Sequence, residues 1–160
     1  MLISNEWLKD YVNVDQSVQA LAERITRTGI EVDDIIDYTK DIKNLVVGHV
    51  LSKTPHPNAD KLSICQVDLG EEEPVQIVCG APNVDEGQHV IVAKVGGRLP
   101  GGIKIKRAKL RGERSEGMIC SLQEIGISSH VTPKNFESGI YVFPEAVKPG
   151  KDALEALYLN

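Results

Sequence analysis

The sequence predicts a mainly β fold, a small closed barrel of short strands preceded by a short α-containing segment. Three observations carry this. From about residue 43 to 148, short apolar or alternating runs recur between turns rich in Gly, Pro and Asn. Residues 1–38 carry instead an apolar pattern at helical spacing. The 160 residues, 41% hydrophobic and 26% charged, suffice for one core domain and a fragment of another. Composition also excludes function classes. Aromatics are only 4%, too few for a surface of many stacked rings, and a net charge of −5 argues against a nonspecific nucleic-acid binder. No apolar stretch approaches the roughly 18 residues of a membrane span. Met1–Glu6 lacks the basic-then-apolar order of a secretory signal. Cys65, Cys79 and Cys120 are too widely spaced for a zinc site and odd in number for a disulfide framework. A reducing, cytoplasmic location is expected.

The elements follow in order. Ser4 caps a short turn through Trp7 and Leu8. Asp15 is placed to cap a helix whose apolar face is Val18, Leu21, Ala22 and Ile25, ending at Gly29. Ile30, Val32, Ile35 and Ile36 suggest an extended segment. This unit is too short to bury a core alone, so it either packs on the following domain or is half of something completed elsewhere. Strands are expected over 45–51, 62–69, 75–79, 89–95, 103–111, 118–121 and 140–143, with a short helix over 121–127. The tail from Asp152 begins a further element. Among small barrels, the five-stranded Greek-key OB-fold is one known for binding oligonucleotides.

Net charge hides an asymmetry. Lys94 to Arg114 contains eight basic residues and one acid, Glu113, a net +7. The other 10 basic and 22 acidic residues leave −12. A polyanion would be drawn to one stretch and repelled by most of the rest. Within it, Ile103 to Arg111 reads as one basic strand whose alternation slips at Lys106-Arg107, where a β-bulge would restore the phase. Lys104, Lys106, Arg107, Lys109 and Arg111 would then form a ridge along one face, matched to a single-stranded backbone. A solvated edge strand blocked by lysines is the plainer alternative. The arginines, Arg114 included, favour phosphate, which they grip in bidentate fashion.

Neighbouring segments supply further candidates. Lys61 follows the stiff loop Thr54-Pro55-His56-Pro57-Asn58-Ala59-Asp60, in which Asn58 and Asp60 can form Asx turns. Asn83 either fixes a turn or presents its amide to a base or ribose, and Ser115 offers a hydroxyl. Gly96 to Gly102 lacks the Gly-Lys-Ser/Thr entry into a helix that a phosphate loop requires, and reads as a turn. No His stands in a pattern with a Ser or Cys nucleophile, so no catalytic set emerges.

Together these segments resemble a known family. His56-Pro57-Asn58-Ala59-Asp60-Lys61-Leu62, Ile77 to Val84, Lys106-Arg107-Ala108-Lys109-Leu110-Arg111-Gly112 and Ser115-Glu116-Gly117-Met118 look like the tRNA-binding OB-fold domain. The likeness spans about residues 40 to 150. Ser4 to Val12, Ile25 to Val32 and Gly139 to Pro144 are further similar to the start of bacterial phenylalanine–tRNA ligase beta subunits. The resemblance implies an N-terminal fragment in three parts: 1–38, half of a discontinuous domain; 39–151, the tRNA-binding OB-fold; and 152–160, where the first domain resumes. It implies tRNA as partner, with the alpha subunit and the rest of the beta subunit in a complex of two alpha and two beta chains. The whole enzyme would use ATP and magnesium to attach phenylalanine to tRNA, with no cofactor in this segment. Lys61, Asn83, Lys104, Lys106, Arg107, Lys109, Arg111, Arg114 and Ser115 are the expected RNA-binding residues. A structural module of the synthetase and a free-standing tRNA-binding chaperone are the alternatives.

Overall fold

The computed structural model describes residues 1–37, 39–130 and 132–157. They divide into two compact units, parted between residues 37 and 39.

In the first unit, α1 (Asn5–Lys9) is capped by Ser4, whose side chain accepts from the Trp7 amide. Helix α2 (Val18–Arg27) is capped by Ser17, not by Asp15. Ser17 wins because its extended backbone places the hydroxyl at the Ala20 amide, 3.3 Å away. The expected stripe of Val18, Leu21, Ala22 and Ile25 is the half-buried face. Residues 30–37 form no strand and pair in no ladder among the described residues. None of the described residues of this unit is buried.

The second unit is an antiparallel sheet that curls into a half-barrel. Its strands are β1 (Lys43–Pro55), β2 (Ser63–Asp68), β3 (Val75–Cys79), β4 (His89–Leu99) and β5 (Ile103–Lys104), in the order β3-β2-β1-β4-β5. Three consecutive strands followed by a fourth that returns beside the first is a Greek key. A further short strand, β8 (Met118–Ile119), also pairs with β4. Between β5 and β8 lie β6 (Ala108–Leu110) and β7 (Glu113–Ser115), a separate two-stranded hairpin.

Strands β1 and β4 read as continuous apolar runs because both faces are covered. Leu45, Val47, Ile91 and Ala93 pack with Leu99, Ile105, Cys120, Leu122 and Phe143. Val50, Val90 and Val92 pack on the other side with Val67, Ile77, Val84 and Ile119. In β2 the alternation resolves with Cys65 and Val67 inward. Gln66 stands half-buried, its amide donating to Gln76 of β3. The chain after Pro149 fills the vacant edge of β1. The Val47 amide donates to the Lys151 carbonyl and the Gly150 amide to the Val47 carbonyl, each at 2.8 Å.

Two expected elements shrink. Residues 121–127 make one turn, held by a capping box between Ser121 and Glu124. Residues 140–143 touch β4 at a single bridge, Val90 to Val142. The tail becomes α3 (Ala153–Ala156), capped by Asp152, and residues 158–160 lie outside the described residues.

Candidate nucleic-acid interface

The continuous basic strand expected over 103–111 does not form. The chain pairs with β4 at Ile103 and Lys104, anchors Ile105 through two backbone bonds to Gly96 and Gly97, then leaves the sheet. It re-forms as the β6–β7 hairpin. The cause is the turn: Leu110 faces Glu113, leaving only Arg111 and Gly112 in the loop. Their φ values are +51° and +94°. Positive φ at both central residues is the type I′ geometry that suits the twist of a tight hairpin. Gly112 adopts it freely, while Arg111 is held there at a cost of about 1 kcal/mol.

Side chains of the loop between β1 and β2 hold that turn. The Asn58 amide N–H donates to His56 Nδ1 at 2.9 Å. Nδ1 is therefore unprotonated, and Nε2 carries the proton and donates to the Leu110 carbonyl at 2.8 Å. Asn58 Nδ2 donates to the Arg111 carbonyl at 3.2 Å. The His56 ring is buried and its two bonds are partly shielded from water, whereas the Asn58 bond to Arg111 is exposed. The imidazole organises the loop where Asx turns by Asn58 and Asp60 were expected. His56 and Asn58 were missed as positioning residues because their partners lie more than fifty residues away.

The other end of the hairpin is fastened to β3. Ser115 Oγ accepts from the Val78 amide and donates to the Gly117 carbonyl, both at 3.1 Å. Gln76 Nε2 donates to the Arg114 carbonyl at 2.9 Å, and the Glu116 amide to the Gln76 carbonyl at 2.8 Å. Ser115 thus fixes which face of the hairpin turns inward. Lys109 and Arg114, directly opposite one another, take the outward face.

The expected site residues sort themselves on this frame. Lys106, Arg107, Lys109, Arg111 and Arg114 are exposed on or beside the hairpin. Lys61 is exposed on the loop that His56 and Asn58 tie to the turn. Arg107 pairs with Glu116 at 3.3 Å but stays 77% exposed. Among the described residues the other five make no salt bridge. Lys104 stands apart in the main sheet, opposite Arg98. Two expected contacts are corrected. Ser115 is only 4% exposed with its hydroxyl engaged on both sides. The Asn83 amide spans to Ile140, donating to its carbonyl at 2.8 Å and accepting its N–H at 3.0 Å, so it ties the loop after β3 to a distant segment.

Other reactive groups are in quiet settings. All three cysteines are free and buried. Burial pushes the Cys65 thiol up to about 11 and the Cys120 thiol up to about 12. His49 and His89 face each other across β1 and β4 and stack, ring centres 4.4 Å apart. Burial, then the neighbouring His49, lowers the His89 pKa. Among the described residues no three His, Cys, Asp or Glu are grouped to hold a metal ion. Residues 100–102 are the turn from β4 to β5, and no helix follows them to receive a phosphate. Among the described residues no helix is long and apolar enough to cross a membrane.

A Greek-key half-barrel carrying a hairpin whose exposed cations are mostly without a carboxylate partner among the described residues defines a class, the small β domains able to engage a polyanion. The chain belongs to the tRNA-binding domain family, whose model, described as "Putative tRNA binding domain", matches residues 45–152. It is 97% identical over all 160 residues to a phenylalanine–tRNA ligase beta subunit of Staphylococcus epidermidis and 82% identical to that of Staphylococcus aureus. The chain spans 20% of the length of each of these relatives. Among solved structures, a MetRS-related protein from Pyrococcus horikoshii aligns over 76% of this chain and 97% of its own, at 23% identity and a TM-score of 0.47.

Proposed function

We propose that this chain is the N-terminal, tRNA-contacting part of a phenylalanine–tRNA ligase beta subunit, and that it engages RNA backbone through the β6–β7 hairpin. The observation that carries the reading is the hairpin itself. Five exposed cations cluster on and beside it, with one carboxylate paired to one of them. Like charges set directly opposite, as Lys109 and Arg114 are, destabilise a hairpin unless an anion is brought to them. The latch from His56 and Asn58 presents the turn already ordered, which lowers the entropy lost on binding.

The role is electrostatic and positional. Arginines 107, 111 and 114 offer bidentate donors to phosphate, and Lys106, Lys109 and Lys61 add point charges around them. No step of bond making falls to these residues. In the complete enzyme, acting in the cytoplasm as two alpha and two beta chains, ATP and magnesium would serve the attachment of phenylalanine elsewhere. A gel shift of the 160-residue chain with several tRNAs and a DNA control, over a range of salt, tests the reading. Binding of tRNA that weakens steeply with salt supports it. Absence of binding at low salt overturns it.

A further inference from the structure

A second cationic feature lies outside the hairpin. Lys43 of β1 faces Arg98 of β4, and Arg98 faces Lys104 of β5. Residues directly opposite in a ladder share a face of the sheet, with neighbours about 5 Å apart. All three side chains are exposed, and none makes a salt bridge among the described residues. The three charges therefore form a row across the strands.

The backbone is contorted to build this row. Between Leu45 and Lys43 the partner strand advances from Ala93 to Arg98, a break in register. Asn44 sits at φ +55° within that break, a left-handed conformation uncommon for a residue with a side chain. Opposite it, a Cβ on Gly97 would stand 2.8 Å from the Lys43 and Lys94 carbonyl oxygens, so only glycine lets the strands close again. A regular ladder would avoid both the strain and the like-charge contact. Strained backbone persists where the surroundings enforce it, and such sites cluster at binding surfaces.

We infer that Lys43, Arg98 and Lys104 form a second phosphate-binding strip, which takes RNA backbone at a point distinct from the β6–β7 hairpin. The inference rests on the tRNA-backbone reading above. Lys43 does not stand out in sequence: the register break brings it opposite Arg98, which the β4–β5 pairing sets opposite Lys104. Three cations in line suit successive phosphates of one strand, whereas a single anion would be met by a cluster around a point. The main-chain path from Lys104 through Ile105 to Lys106 joins the strip to the hairpin, so one RNA strand can reach both.

The test is the salt dependence of tRNA binding by the 160-residue chain, by filter binding between 50 and 300 mM KCl, roughly the range in which phosphate contacts are titrated. The variant is Lys43→Gln/Arg98→Gln/Lys104→Gln. A control, Lys9→Gln/Lys134→Gln/Lys148→Gln, removes the same charge elsewhere. The strip variant is expected to lower the slope of log K against log salt by about 2, at roughly 0.7–0.9 per lost phosphate contact, while the control keeps the parent slope. Circular dichroism of each variant confirms that the sheet is intact. An unchanged slope in the strip variant, or an equal fall in the control, overturns the strip while leaving the hairpin reading in place. A parent chain with no salt-dependent tRNA binding overturns both. An acidic protein surface as the true partner would show as the unchanged slope.

Discussion

Replacing His56 by alanine tests how the interface is held together. The ring makes two hydrogen bonds, to the Leu110 carbonyl and from the Asn58 amide, at 2.8 and 2.9 Å, and is only 5% exposed. Each bond contributes about 1 kcal/mol net, and loss of the buried ring removes about 1 kcal/mol more. The Leu110 carbonyl lies on an exposed residue and regains water, so the total stays near 2–3 kcal/mol. With a urea slope of about 2 kcal/mol/M, the unfolding midpoint should fall by roughly 1–1.5 M. Circular dichroism is the right probe, because the single tryptophan, Trp7, belongs to the other unit. A double-mutant cycle with Asn58→Ala should show a coupling of at least about 0.5 kcal/mol, since both side chains restrain one turn. A midpoint shift below about 0.3 M, or strict additivity in the cycle, would refute the latch.

Three further outcomes are expected. Ser115→Ala leaves the Val78 amide and Gly117 carbonyl unpaired and should cost about 2 kcal/mol in urea unfolding. If its hydroxyl is structural, the tRNA salt slope of the folded variant should stay that of the parent. Stability should decline as pH falls below about 6.5, the unfolded value for histidine, because burial and His49 lower the His89 pKa and the folded chain resists its protonation. His89→Gln should flatten that part of a urea-midpoint against pH profile. Hydrogen exchange should be faster at the amides of α2 than at those of β1 and β4, because no described residue of the first unit is buried; equal protection would contradict this.

Much of the barrel was legible in sequence, for a physical reason. Strands β1 to β4 carry long apolar or alternating runs whose period follows from burial on one face or two. What escaped was set by geometry that local pattern does not encode. Arg111-Gly112 lacks the Asn-Gly signature of a type I′ turn, so the hairpin read as part of one basic strand. Ser17 took the cap expected of Asp15, a shift of two residues that propensity does not resolve. Ile30 to Ile36 has strand-like residues but meets no sheet edge among the described residues. The cationic stretch was visible as a cluster in sequence. Its division into a hairpin and a cross-strand row depends on pairings with Arg98 and Lys43 that no spacing announces. Ser115 and Asn83 looked like ligand groups because polar residues in loops often are, yet their long-range partners occupy them.

The most direct trial of the hairpin as the RNA contact is a tRNA titration of the parent chain beside Lys106→Ala/Arg107→Ala/Lys109→Ala/Arg111→Ala at low salt. Loss of nearly all binding in the quadruple variant, with its fold preserved by circular dichroism, is the predicted result. Equal affinity in the two chains would contradict it.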